Sequence, residues 1–135
     1  MNKIIIAGGR DFSDYNKLDL EVKKFILENK IQLPISIVSG TCDGADKLGE
    51  VFAKKYNFDI IEMSADWDNL DHPICVKKYR KDGTPYNAAA GHIRNEEMAK
   101  IATHCICFWD KKSKGTKNMI ENAEKYKLIR KIINY

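Results

Sequence analysis

KIIIAGG, residues 3–9, sets four consecutive apolar side chains before two glycines. How that run is read decides the fold. A strand with one face in water alternates apolar and polar residues, whereas a strand that is apolar on successive positions is covered on both faces, as in a parallel sheet with helices above and below. The β-branched content and the glycine stop favour a strand. Four more apolar runs rich in β-branched residues and bounded by turn signals read as strands, the central ones apolar on consecutive residues: ISIVSG at 35–40, FDIIEMS at 58–64, HCICFWD at 104–110 and LIRKIIN at 128–134. Between them the period changes to that of helices, with stripes Leu18/Val22/Phe25/Ile26, Ala45/Leu48/Phe52/Tyr56, Met98/Ile101/Ala102 and Thr116/Ile120/Ala123/Lys127. Strand alternating with helix predicts an α/β fold: a Rossmann-like three-layer domain with a mostly parallel sheet of about five strands and helices on both faces.

The chain has 135 residues, a length for one core, and is read as a single domain over 1–135. Residues 66–90 break the alternation: they show no period and carry Gly83, Pro73, Pro85 and many charges, so a long loop insertion is placed at about 68–90. In a doubly wound sheet the chain returns past its first strand near this point, giving an order such as 3-2-1-4-5. The crevice for ligands then opens at the carboxyl ends of the strands where the order reverses.

Bulk properties exclude several classes of function. No apolar run reaches the ~18 residues of a membrane span, so no membrane partner is expected. The four cysteines, Cys42, Cys75, Cys105 and Cys107, have no metal-ligand or C-x-x-C spacing, which points to free thiols, a cytoplasmic location and no metal. His72, His92 and His104 likewise show no ligand spacing. The formal charge of +4 gives mild attraction to phosphate without the heavy basic stripe of a dedicated nucleic-acid binder.

Three loops collect at the carboxyl ends. The first, AGGRDF, offers Gly8 and Gly9 for close backbone approach, the Arg10 guanidinium and the Asp11 carboxylate. The second, VSGTCDGAD, brackets a turn between Ser39, Gly40 and Gly44 before a helix start, where N–H groups attract anions. Asp43 and Asp46 there are open to two readings, helix cap or ligand contact. The third, DKKSKGT, leads through Ser113, Gly115 and Thr116 into the last helix, among three lysines. Arg94 and Asn95 occupy the first turn of the helix that begins near Gly91. Four residues before Met98, Arg94 falls on the apolar stripe, where it is either covered by packing or reaching for an anion. Two arginines, glycine turns and helix N-termini on one edge suit a phosphate-bearing small molecule. Trp67, in SADWDN, is a candidate to stack on its base or sugar, against the alternative of a core tryptophan. Lys77, Lys78, Arg80 and Lys81, interleaved with Tyr79 and Tyr86, form either a lid over the crevice, a nucleic-acid contact or a solvated loop.

AGGRDF, VSGTCDGAD, ADW, AGHIRNEEM and KSKGTKNMIENA, in this order, resemble the YspA or cpYpsA-related branch of the SLOG superfamily, found in phages and bacteria. The superfamily also holds the DprA single-strand DNA binders and the LOG phosphoribohydrolases. The resemblance implies a Rossmann-like fold that binds a nucleotide or nucleotide-derived ligand, without a cofactor. LOG enzymes pair an arginine at a helix start with a P-G-G-x-G-T-x-E-E loop. Here Arg94 matches the arginine and Gly115-Thr116 the G-T, but Asn118 and Met119 stand in place of the glutamates, and lysines and Ser113 replace the P-G-G. Asn118 cannot activate water, so binding, as sensing or sequestering, is the preferred function. The alternatives are a nucleotide N-glycosidase with relocated carboxylates, for which Arg94, Glu97 and Asp46 are the catalytic candidates, and a DprA-like single-stranded nucleic-acid binder. LOG relatives dimerise, which implies a homo-oligomer.

Overall fold

Ile4, Ile5 and Ile6 are fully buried because β1 (Asn2–Gly8) runs through the middle of a five-stranded sheet. The computed structural model describes residues 1–135. After β1 come α1 (Tyr15–Glu28), β2 (Ile35–Ser39), α2 (Ala45–Lys55), β3 (Asp59–Glu62), β4 (Lys77–Tyr79), β5 (Pro85–Asn87), α3 (Ala90–Ile101), β6 (His104–Trp109), α4 (Lys114–Lys125) and β7 (Ile129–Asn134). The large sheet has the order β3-β2-β1-β6-β7 with every pair parallel. Counting only its own strands, this is the expected 3-2-1-4-5 arrangement.

Successive residues of β1 point to opposite faces and meet different helices. Ile4 and Ile6 join Leu18, Val22 and Phe25 of α1 and Phe52 and Ala53 of α2. Ile5 and Ala7 join Met98 and Ala99 of α3 and Met119, Ile120 and Ala123 of α4. Each of the larger of these side chains, Ile, Leu, Val, Phe or Met, contributes on the order of 1.5–3 kcal/mol relative to exposure. Cys105 and Cys107 lie in the second core, as small fillers on one face of β6. No helix is long and apolar enough to cross a membrane.

Three local expectations are corrected. The 68–90 insertion is not structureless: β4 and β5 pair antiparallel as a small hairpin, separate from the main sheet. Its base is fixed by the buried Asn87, whose Oδ1 accepts from the N–H groups of Val76 (3.2 Å) and Ala89 (2.9 Å). On α3 the apolar stripe is Ala90, Met98 and Ala99, while Ile101 is 38% exposed and Ala102 is already the C-cap. Lys127 lies beyond α4 in the left-handed region (φ 57°), turning the chain into β7, and Met119 fills the buried position instead.

Candidate functional site

The strand order reverses between β1 and β6, where consecutive connections leave toward opposite faces of the sheet. A cleft of about 190 Å³ opens there at the carboxyl edge. Among its walls are Ala7 and Gly8 from β1, Gly40 and Cys42 from the loop after β2, Arg94, Asn95 and Met98 from α3, and Ser113, Gly115 and Thr116 at the start of α4. Arg10, Asp46, Trp67 and His92 also line it.

Arg94 is 9% exposed, and its guanidinium is held by neutral groups. Nη1 donates to the carbonyl oxygens of Gly40 (2.6 Å) and Met63 (3.4 Å), and Nε donates to Asn95 Oδ1 (3.1 Å). Gly40 makes this possible: a Cβ there would lie 2.8 Å from Asp46 Oδ2 and 3.0 Å from Arg94 Nη1. Asn95 extends the network, donating through Nδ2 to the Gly115 carbonyl (3.2 Å) and Asn118 Oδ1 (3.0 Å), so α3 and the start of α4 are locked together around the cleft. Asn118, at the position of a LOG glutamate, is thus a link between Asn95 and Asn122.

Arg10 reaches the same cleft from the other side on an exposed turn. The backbone of that turn is pinned, since Ala45 N–H at the start of α2 donates to the Gly9 carbonyl (3.2 Å). Neither Arg10 nor Arg94 forms an ion pair with a carboxylate; the ion pairs of the protein are made by lysines and by Arg80. Three helices also begin nearby. The starts of α2 and α3 have no side-chain cap, whereas Ser113 Oγ caps α4 by accepting from Thr116 N–H (3.3 Å). Uncapped N–H groups at a helix start attract negative charge.

Asp46 is the acid of the cleft. It does not cap α2, whose N-cap is Gly44; its Oδ2 accepts from Cys42 N–H (3.1 Å), clasping the loop. Burial raises its pKa from the ordinary 3.8 to about 6, opposed by the Cys42 hydrogen bond and then by Arg94. Folding therefore favours the protonated form: the stability this adds is complete below about pH 4 and is lost as pH rises to about 6. Asp46→Asn keeps the acceptor and removes the charge, and is expected to flatten the stability profile across that window, an effect of at most about 3 kcal/mol. Chemical denaturation between pH 4 and pH 8 measures it, and an unchanged slope would refute the assignment.

Not every residue expected at the site reaches the cleft. Gly9 is covered by Tyr135, and Asp11 accepts a hydrogen bond from the Tyr135 hydroxyl (2.6 Å). Ser39 Oγ donates to Glu50 Oε2 (2.6 Å), beneath the loop. Gly44 lies against the Gly9 and Arg10 backbone, and Asp43 stands at the outer mouth beside Arg10 and Trp67. Glu97 faces an adjoining groove with Asp66 and His72. Trp67 is half-buried at the rim, its ring edge 3.3 Å from where a Cβ on Gly91 would be. Cys42, Ala88 and Gly91 also line the cleft, though none was a site candidate in the sequence. Gly91 had a signal, as the small residue opening the Arg94 helix; Cys42 and Ala88 had none.

A parallel, doubly wound α/β sheet with its cleft at the topological switch point defines a Rossmann-like protein. The chain belongs to the YspA, cpYpsA-related SLOG family, whose model matches residues 2–70. No curated protein matches its sequence. Its fold is similar to that of DNA processing protein A (DprA) from Streptococcus pneumoniae, with TM-score 0.62 and 19% identity over 99% of this chain and 50% of that one. It is also similar to DNA processing protein A from Helicobacter pylori, a protein with a described single-stranded DNA binding mode, with TM-score 0.65 and 20% identity over 97% of this chain and 64% of that one. The chain thus spans about half to two thirds of the length of these structures, and at such identities the likeness concerns the fold.

Proposed function

We propose that the cleft binds a nucleotide or nucleotide-derived molecule, sensing or sequestering it in the cytoplasm, with its phosphate between Arg10 and Arg94. The observation that carries this is the pair of guanidinium groups that line one cleft without a carboxylate partner. The hydrogen bonds of Arg94 all go to neutral acceptors, so Asp46 offsets its desolvation only through space, and an anion in the cleft offsets the remainder. The uncapped start of α3, where Gly91 and His92 line the cleft, adds donors, and Gly8, Gly40, Ser113, Gly115 and Thr116 provide a small-residue wall that a phosphate can approach. Trp67 at the rim is the surface for a base. Asn118 being bound to Asn95 and Asn122 favours binding over N-glycosidic hydrolysis, because no carboxylate stands in that place. Homo-oligomer formation belongs to the same proposal by analogy with LOG relatives.

Thermal shift against a panel containing nucleoside monophosphates, ADP-ribose and cyclic dinucleotides tests the reading. At least one phosphate compound is expected to raise the melting temperature, and its unphosphorylated nucleoside is not. Ligand at about 100 times its dissociation constant contributes ~2.7 kcal/mol, several degrees for a domain of this size. A panel without any shift would refute it.

A second reading has its own observation. The hairpin exposes Tyr79 (65% exposed) among Lys77, Lys78 and Lys81, continuous with Trp67, a surface suited to stacking bases and holding phosphates of a single strand. The two DNA processing proteins share the fold. Binding of an oligothymidylate that weakens steeply with salt would support this reading, and absence of such binding would remove it.

A further inference from the structure

Tyr135 lies 124 positions from Asp11 in the chain, yet its hydroxyl donates to Asp11 Oδ1 at 2.6 Å, a short charge-assisted hydrogen bond. Its ring packs edge-on against Phe12 (centroids 4.9 Å apart), which itself stacks on Phe108 of β6. The hydroxyl also closes over Gly9, where a Cβ would overlap it. Tyr135 is anchored in turn: its N–H donates to the Trp109 carbonyl (3.3 Å), Asn134 Nδ2 donates to the same oxygen (3.2 Å), and Lys17 Nζ donates to the Asn134 carbonyl (3.1 Å). The residue after β7 therefore grips both sides of Arg10 in the Gly8–Phe12 turn. Arg10 itself has no side-chain hydrogen bond and no ion pair with its neighbour Asp11, and lines the cleft. Burial and the Asp11 carboxylate both push the Tyr135 phenol upward, so it stays a donor throughout the neutral range.

We propose that Tyr135 is a positioning residue for the anion site: by holding the Asp11 carboxylate with its hydroxyl, it keeps that charge off Arg10 and leaves the guanidinium free for the cleft. This rests on the proposed role of Arg10, which the function above includes without any part for Tyr135. A carboxylate freed beside Arg10 on this exposed turn can pair with it, modestly since both groups meet water, and a paired Arg10 has less field to offer an incoming phosphate.

Isothermal titration with the phosphate compound that most stabilises the wild type tests the idea. Tyr135→Phe keeps the ring on Phe12 and is expected to weaken binding about two- to fivefold, while the melting temperature stays within about 3 °C. Adding Asp11→Asn to Tyr135→Phe is expected to restore affinity to near the wild-type value, since the competing charge is gone; loss of general support for the fold would not be repaired this way. In an Arg10→Ala background, Tyr135→Phe is expected to have no further effect. Unchanged affinity in Tyr135→Phe, or a loss that persists with Asp11→Asn or in the Arg10→Ala background, overturns the positioning role and leaves the site standing. If Tyr135→Phe does not fold, Asp11→Asn alone decides: affinity at or above wild type supports the role, and weaker binding overturns it. A wild type that binds no phosphate compound removes the site and the positioning role together.

Discussion

Arg94→Ala is expected to eliminate phosphate-dependent stabilisation and to lower the unfolding free energy by about 2–3 kcal/mol. The second effect follows from what the guanidinium satisfies. The Gly40 and Met63 carbonyls and Asn95 Oδ1 all accept from it, and truncation leaves buried acceptors without a donor at ~1–3 kcal/mol each, less whatever water replaces. The first effect follows from charge, because the attraction of Arg94 is lost while Asp46, which lines the same cleft, would repel a phosphate. Arg94→Lys separates the two. It retains the cation but has no planar fork to span Gly40, Met63 and Asn95 together. Lys is therefore expected to recover part of the affinity and little of the stability. Urea denaturation with and without ligand reads both, and an Arg94→Ala protein that ligand stabilises as much as the wild type would contradict the assignment.

Gly44→Ala is expected to cost about 3 kcal/mol or more and to weaken phosphate binding by at least tenfold. Gly44 sits at φ 79° and ψ −128°, a conformation that residues with a Cβ rarely adopt. Its missing side chain also matters for packing: a Cβ would overlap the Gly9 carbonyl and the Arg10 backbone. The substitution thus strains the α2 start and pushes away the turn that carries Arg10, so one change damages stability and site together. Gly115→Ala is the control for stability, since a Cβ there meets nothing within 4 Å and the residue is helical. It is expected to change the unfolding free energy by less than about 1 kcal/mol. Equal losses in the two variants would show that the Gly44 turn is not what holds the Arg10 loop.

Much of the fold is legible in the sequence because strands buried on both faces cannot hide their composition. Ile4 to Ala7 and Cys105 to Phe108 are apolar at every position, and both segments occupy the centre of the sheet. The hairpin is not legible for the opposite reason: β4, Lys-Lys-Tyr, is wholly exposed, and β5, Pro-Tyr-Asn, buries a polar residue, so neither three-residue strand shows an apolar period. The stripe on α3 misleads because two of its buried residues, Arg94 and Asn95, are polar and interrupt the apolar period. Their burial is compensated by hydrogen bonds to Gly40, Met63, Gly115 and Asn118, partners 20 or more residues away.

The same distinction separates the site residues. Those on the loops immediately after β1, β2 and β6 can be placed from connectivity alone, as Arg10 and Ser113 are. Asp11 and Ser39 lie in the same loops, yet their partners are Tyr135 and Glu50. Which of two adjacent side chains faces the cleft is set by tertiary contacts of this kind, and no spacing rule in the chain encodes them. Asp46 shows the intermediate case: its place at the helix start is readable, whereas its clasp on Cys42 and its raised pKa depend on burial beneath Gly40.

The most direct measurement of the central claim is calorimetric titration of the phosphate compound that most stabilises the wild type into the wild type, Arg10→Ala and Arg94→Lys at fixed ionic strength. The account predicts one saturable site in the wild type and a loss of about tenfold or more in affinity in each variant. Saturable binding of equal strength in all three proteins would place the ligand elsewhere and contradict it.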